Sequence, residues 1–187
     1  MAFVINNKVQ FNHIPKTGGS FVTEIFRPVT TVRGVKHAVN DNGDGFINVC
    51  VIREPADWFR SYWNWKAKKW KKHEGKDITH PTRNLWKYRA KDLDTFVRNV
   101  YKKNPGFLSK MYAKYISDCE HVFRYEYLEE AVQDISYMAG VPLPIEYIKG
   151  WGIVNPAKIN HDYADSDTVQ LIRDSEKGIY KRFYPEY

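Results

Sequence analysis

Cysteine is scarce in this sequence, with only Cys50 and Cys119 among 187 residues. Two cysteines so placed form neither a disulfide framework nor a zinc cluster, so we expect two structural thiols. The segment Asn40–Gly45 superficially resembles a calcium loop. Val51, however, stands at the twelfth position, where such a loop needs a bidentate glutamate. The sequence therefore predicts no metal site.

Long apolar runs are also absent. None approaches the roughly 20 residues that cross a bilayer, and the N-terminus lacks the basic and apolar regions of a secretory signal. We therefore expect a soluble, cytoplasmic protein with no membrane span. There is no internal repeat, and the length suits a single domain over residues 1–187. The oligomeric state is not predictable from these features.

Acidic residues are outnumbered, because 29 Lys and Arg face 22 Asp and Glu, giving a net charge of +7. This charge favours anionic partners but does not choose among nucleotides, sulfated or phosphorylated molecules, nucleic acid and acidic membranes. The run Lys66–Lys76 contains Trp70 and concentrates part of the charge. It is interpreted as a solvated helix end and loop, with a basic rim for an acceptor as the alternative.

Hydrophobic patterning predicts an α/β fold with a mainly parallel sheet flanked by helices. Strands are predicted at residues 8–14, 30–37, 46–52 and 121–125. Helices are predicted at 20–26, from 55 onward, and at 93–101, 108–116, 128–138 and 167–183. The aromatic stripe of the second helix is expected to be core. Ligands of such sheets bind beyond the carboxyl ends of the strands, so residues just after a strand are the candidate site.

The first strand is followed by the loop Pro15–Val22, which contains Lys16, Gly18 and Gly19. Glycines allow a tight turn and close approach to a ligand, while free N–H groups at a helix start attract anions. In the usual nucleoside triphosphate loop, Lys and Ser or Thr follow the last glycine, and the hydroxyl holds magnesium. Here Lys16 precedes both glycines, which favours a metal-free anion cradle. An ordinary β-to-α turn with a surface lysine is the alternative.

A second motif follows the strand predicted at 46–52. Arg53 stands at the strand end, and Ser61 lies eight positions later on the predicted helix, two turns along. The guanidinium group offers a planar fork of donors to a phosphate, and the serine hydroxyl is expected to reach the same group.

Both motifs resemble those of the sulfotransferases that use 3′-phosphoadenosine 5′-phosphosulfate, including the carbohydrate-type members. The residues that resemble the family's 5′-phosphosulfate loop are Pro15, Lys16, Thr17, Gly18, Gly19, Ser20 and Phe21. The residues that resemble its 3′-phosphate motif are Arg53 and Ser61. Weaker similarity is found at Phe123–Leu128 and Val154–Lys158. The resemblance implies a fold like that of P-loop NTPases and a metal-free transfer of a sulfuryl group to a hydroxyl or amine.

The transfer requires a cation beside the leaving oxygen and a base for the acceptor proton. Lys16 is the candidate cation. Family members place a base just past the second strand, where His37 lies, and Glu24 on the first helix is the carboxylate alternative. The acceptor, whether small molecule, glycan or peptide, is not predictable from the sequence. A P-loop phosphotransferase and a non-enzymatic binder of polyanions or nucleic acid are the alternative functions, although no nucleic-acid partner is expected for the leading one.

Overall fold

The computed structural model describes residues 2–34, 45–66, 80–152 and 164–187. The chain divides into two compact units. The first comprises Met1–Arg53 and Tyr112–Asn155, and the second Glu54–Met111 and Pro156–Tyr187. The single domain over 1–187 stays a prediction. Several sequence predictions fall outside the described residues: the end of the second strand with His37, most of the Asn40–Gly45 segment, the basic run after Lys66, and Val154–Lys158.

The first unit contains a sheet of five strands in the order β3-β1-β2-β4-β5. The strands are β1 (Phe3–Ile5), β2 (Val9–Asn12), β3 (Val32–Arg33), β4 (Ile47–Ile52) and β5 (His121–Arg124). β4 is an almost continuous apolar run, and its last four residues are buried. It lies between β2 and β5 and is parallel to both, as a strand covered on both faces should be. The strand predicted at 46–52 is therefore observed, next to the strand predicted at 8–14.

The other half of the sheet is antiparallel. β1 pairs with β2 through a tight turn in which Asn6 and Asn7 have φ angles of 48° and 53°. Asparagine tolerates this left-handed conformation, and type I′ hairpin turns require it. β3 then pairs antiparallel with β1 and not with β2. The α/β class is confirmed, but the prediction of a mainly parallel sheet is wrong, because a three-residue N-terminal strand separates β2 from β3.

Helices and a hydrophobic core complete the first unit. Its helices are α1 (Gly19–Phe26), α5 (Leu128–Met138) and α6 (Ile145–Gly150), and α4 (Phe107–Ile116) contains the boundary between the units. α1 and α5 place apolar side chains against the sheet, among them Phe21, Ile25 and Ile135, which are at most 5% exposed. This packing fixes the position of α1, and therefore of the loop that enters it.

The second unit is helical in its described part and has an aromatic core. Its elements are α2 (Pro55–Lys66), a 3₁₀ helix (Arg83–Tyr88), α3 (Leu93–Lys103), α7 (Ser166–Ser175) and α8 (Lys177–Phe183). Trp58 stacks on Tyr62 with ring centroids 5.2 Å apart, and Tyr62 stacks on Phe96 at 5.9 Å. The aromatic stripe of α2 is therefore core, as predicted. Among the helices that the structure describes, none has the length and hydropathy needed to cross a membrane.

Candidate functional site

The carboxyl ends of three parallel strands meet at one edge of the first unit's sheet. Asn12 pairs with Cys50 between β2 and β4, and Ile52 pairs with Arg124 between β4 and β5. The residues that follow these strands are the loop beginning at His13, Arg53, and Tyr125. This edge is where ligands of α/β sheets bind, so the predicted phosphate loop and Arg53 share the expected position.

The loop between β2 and α1 has an unusual backbone. Lys16 has a φ of 68° and Gly18 a φ of 84°. The left-handed conformation costs a non-glycine residue about 1–2 kcal/mol, so the fold holds Lys16 in it by other contacts. Gly18 is the N-cap of α1 and provides no side-chain cap, and the first turn has no acidic residue. The positive end of the helix dipole therefore meets no carboxylate from its own first turn, which suits an anion.

Both glycines of this loop lie where a Cβ atom would collide with a neighbouring side chain. At Gly19 an added Cβ would lie 2.1 Å from Cδ2 of His13, which is only 3% exposed. At Gly18 it would lie 2.7 Å from Leu128 and 3.1 Å from Tyr125. Glycine is required here so that these side chains can pack directly against the backbone of the loop.

The other residues of the predicted phosphosulfate loop have differing surroundings. The Thr17 hydroxyl is buried and donates to the carbonyl oxygen of Ile14 at 2.9 Å, which closes the loop on itself. Phe21 belongs to the hydrophobic core, and Pro15 is also buried. Ser20 is half-buried on the first turn of α1. The side chains of Thr17 and Phe21 therefore stabilise the loop, and their predicted ligand contacts are through backbone N–H groups.

Arg53 is held against the loop by several contacts. Its Nη1 donates to the carbonyl oxygen of Lys16 at 3.3 Å, and its guanidinium carbon lies 4.0 Å from the centre of the Tyr125 ring. The hydroxyl of Tyr112 donates to the main-chain oxygen of Arg53 at 3.0 Å. Arg53 is 9% exposed, so its orientation is restrained by packing as well as by hydrogen bonds. Lys16 and Arg53, predicted from separate motifs, are brought together.

Ser61 belongs to the second unit. It lies on α2 and is 8% exposed. The start of α2 is fixed by Glu54, whose carboxylate accepts from the N–H of Asp57 at 2.6 Å and from the hydroxyl of Tyr180. Arg53 lies in the first unit. The joint contact of Arg53 and Ser61 with one phosphate therefore stays a prediction.

Of the two candidates for the base, the structure describes only Glu24. His37 lies outside the described residues. Glu24 faces outward on α1, where its carboxylate pairs with Arg27 at 3.4 Å and its side chain is 39% exposed. In the basic run, Lys66 Nζ lies 4.2 Å from the centre of the Trp65 ring, and the remainder is not described. Within the described ranges no group of His, Cys, Asp or Glu side chains could hold a metal ion.

Sequence reasoning assigned no role to two residues that contribute to this site, although one of them lies in the segment Phe123–Leu128 noted above. Tyr125 contacts Gly18 and lies under Arg53, and Tyr112 bonds the backbone of Arg53 from α4. Tyr125 was detectable in principle, because it directly follows the third strand that ends at the same edge. Tyr112 was not, because nothing in its own helix indicates which strand end it contacts.

Comparisons of this chain with protein-family models, with curated proteins and with solved structures give no match.

Proposed function

We propose that this protein is a sulfotransferase that moves the sulfuryl group of 3′-phosphoadenosine 5′-phosphosulfate to a hydroxyl or amine of an acceptor. The proposal is carried by one observation, the contact between Arg53 and the main chain of Lys16 at 3.3 Å. Lys16 belongs to the loop that was interpreted as an anion cradle, and Arg53 belongs to the motif that resembles the 3′-phosphate site of the sulfotransferases. Their meeting at one sheet edge is expected if they hold two anionic groups of the same nucleotide.

The surroundings of the loop suit the 5′ end of this co-substrate. The start of α1 has neither a side-chain cap nor an acidic first turn, and the positively charged Lys16 lies two positions before the N-cap in the same loop. In the proposed complex, the N–H groups of Gly18, Gly19 and Ser20 bind the 5′-phosphate, and Arg53 with Ser61 binds the 3′-phosphate. The nucleotide would then be positioned by backbone dipoles and fixed cations without magnesium.

The chemical step is an in-line displacement at sulfur. The acceptor oxygen forms a bond to sulfur while the bond from sulfur to the bridging phosphate oxygen breaks, and charge accumulates on that oxygen. Lys16 stabilises this charge, which is the role that a fixed cation fills in a transition state. The acceptor proton goes to a base, for which His37 is the candidate because its ordinary pKa lies closest to neutral pH.

The test is calorimetry of the full chain with 3′-phosphoadenosine 5′-phosphate, in the presence of a chelator that removes divalent cations. We expect saturable binding, and much weaker binding of ATP under the same conditions. Absence of binding, or equal binding of ATP, contradicts the proposal. If ATP is hydrolysed or transfers its phosphate only when magnesium is restored, the protein is instead a phosphotransferase of the P-loop type.

Two variants and a control locate the binding determinants. Arg53→Lys keeps the charge but loses the planar fork, so affinity should fall about 10- to 150-fold, equivalent to about 1.5–3 kcal/mol for a charge-assisted hydrogen bond. Lys16→Ala should abolish transfer of sulfate to a generic phenol or sugar acceptor. Lys114, exposed on α4, provides the control, because Lys114→Ala removes the same charge from an exposed position in the same unit. If Lys16→Ala and Lys114→Ala lowered sulfate transfer equally, the effect of Lys16 would be nonspecific electrostatics and its proposed role would be wrong.

A further inference from the structure

The two cysteines, 69 positions apart in the sequence, are neighbours in the first unit. Cys50 is fully buried in β4, and Cys119 is half-buried just before β5. Both are free thiols, and their side chains are close enough to interact with each other. The sheet produces this proximity, because β5 pairs with β4 and the chain enters β5 through Cys119.

Asn12 provides an independent geometric link between the two thiols. It lies opposite Cys50 in the β2–β4 pair, and its side-chain Nδ2 donates to Cys119 Sγ at 3.3 Å. The same nitrogen lies 3.2 Å from the carbonyl oxygen of Tyr115, which holds the amide in place. Since Asn12 is fully buried, this arrangement belongs to the packed interior of the sheet and not to a surface loop.

The surroundings make the two sulfur atoms chemically unequal. Hydrogen bonds from Cys50 and Asn12 hold the pKa of the Cys119 thiol below its ordinary value, against the opposing effects of burial and of Asp118 and Glu120. The hydrogen bond to Cys119, burial and the charge of that neighbour raise the pKa of Cys50 well above the ordinary value. Cys119 is therefore the more easily ionised of the two thiols, although its sulfur also donates to the carbonyl oxygen of Tyr115 at 3.0 Å. It is half-buried, whereas Cys50 is fully buried, so Cys119 is the more exposed of the two.

We propose that Cys119 and Cys50 are a peroxide-sensitive pair, in which Cys119 is oxidised first and Cys50 then closes an internal disulfide. This is a modification site separate from the proposed transfer reaction, and it requires no part of the sulfotransferase assignment. Cys50 needs no access to solvent in this sequence of steps, because its partner is the oxidised sulfur of the neighbouring Cys119.

The chemistry balances with hydrogen peroxide as the oxidant. The Cys119 thiolate attacks one peroxide oxygen, the O–O bond breaks, and the released hydroxide takes a proton to become water. The sulfur is thereby oxidised to a sulfenic acid. Cys50 then loses its proton and its sulfur attacks the Cys119 sulfur. The S–O bond breaks, a second water leaves, and the disulfide forms.

The experiment exposes the reduced full chain to an equimolar amount of hydrogen peroxide, blocks the remaining thiols and digests the protein for non-reducing mass spectrometry. We expect one linked peptide pair that contains Cys50 and Cys119 and that disappears after reduction. A mixture of isotopically labelled and unlabelled chains tests whether the bond lies within one molecule. Two thiols that are still free after peroxide, or a linked pair of one labelled and one unlabelled peptide, overturn the proposal.

Single-cysteine variants test the order of the steps. In Cys50→Ser the sulfenic acid of Cys119 has no resolving thiol, so its capture by dimedone should rise about tenfold over the native chain. In Cys119→Ser the buried Cys50 should stay unreacted. Equal oxidation of Cys50 in that variant contradicts the assignment of Cys119 as the first site. Circular dichroism checks that each variant folds, and Cys50→Ala replaces Cys50→Ser if the buried hydroxyl unfolds the chain.

Discussion

Glu176 is the residue whose replacement should reveal most about the stability of the second unit. It is fully buried at the junction of α7 and α8. One carboxylate oxygen accepts from Leu108 N at 2.8 Å and the Tyr101 hydroxyl at 3.1 Å. The other accepts from the N–H and the hydroxyl of Ser109 at 2.8 and 2.5 Å. The two backbone donors belong to the first turn of α4, so Glu176 caps that helix from a distant part of the chain.

The loss of stability expected for Glu176→Gln follows from the number of hydrogen-bond donors that lose their acceptor. In Glu176→Gln one oxygen remains and an amide NH₂ replaces the other. The hydroxyl beside the NH₂ can rotate to accept from it, but the backbone N–H on that side cannot and is left without an acceptor. Each buried unsatisfied donor costs about 1–3 kcal/mol. Replacing a buried charge by a neutral amide recovers part of the desolvation cost. We expect a net loss of about 1–3 kcal/mol, a substantial share of the roughly 5–15 kcal/mol that stabilises ordinary proteins.

The assay is urea unfolding followed by circular dichroism, with the free energy of unfolding extrapolated to water. The control is Glu146→Gln, which removes a charge from the first turn of α6 at an exposed position. This control should change stability by less than about 0.5 kcal/mol. A loss of under about 1 kcal/mol for Glu176→Gln would show that water or rearranged side chains satisfy the donors, and the capping argument would be wrong.

The pH dependence of the same variant has a defined sign. Burial raises the pKa of Glu176, although hydrogen bonds from Ser109, Leu108 and Tyr101 oppose this effect. A raised pKa in the folded state means that this carboxyl stabilises the fold most below its unfolded pKa. That contribution is lost as pH rises through the folded pKa. The stability difference between the native chain and Glu176→Gln should therefore shrink from acidic to neutral pH, and a difference that grows would contradict the direction of the shift.

Three further outcomes are expected. Gly19→Ala forces a Cβ into the His13 ring and should abolish nucleotide binding in calorimetry, whereas Gly178→Ala, with no heavy atom within 4 Å, should not. His37→Ala should lower turnover while nucleotide affinity is kept, and unchanged turnover would exclude His37 as the base. Asp92→Ala removes the α3 cap and should cost about 1 kcal/mol in urea unfolding. Hydrogen bonds from Thr95 lower the pKa of Asp92, so this cost should vanish as pH falls through that pKa.

The strands and helices that were predicted correctly are those whose local hydrophobic pattern matches their burial in the folded chain. β4 was predicted at 46–52 and is observed at Ile47–Ile52, because a continuous apolar run suits a strand buried on both faces. β1 was missed, since three residues are too few to show an alternation. The predicted helix at 167–183 is interrupted at Glu176. Local propensity cannot show that interruption, because the carboxylate of Glu176 is bound by donors about 70 positions earlier in the chain.

The candidate site was predictable in its chain segments but not in its contacts. Lys16 and Arg53 each follow a strand, and the rule that parallel strands end at one edge was enough to expect them together. The role of Tyr125 between Gly18 and Arg53 depends on the register of β5, which the sequence does not specify. The contact between Cys50 and Cys119 depends on the same register, so it too was beyond sequence reasoning.

The structure changes the interpretation of the two glycines in the loop between β2 and α1. From the sequence, Gly18 and Gly19 were interpreted as positions where a ligand approaches the backbone. In the structure the space beside them is filled by Tyr125, Leu128 and His13. Gly18 is therefore required by its left-handed backbone and by packing, and Gly19 by packing against His13, so the two glycines do not by themselves indicate a phosphate. The argument for an anion depends instead on the uncapped start of α1 and on Arg53, so Arg53→Lys is a sharper test of function than any glycine substitution.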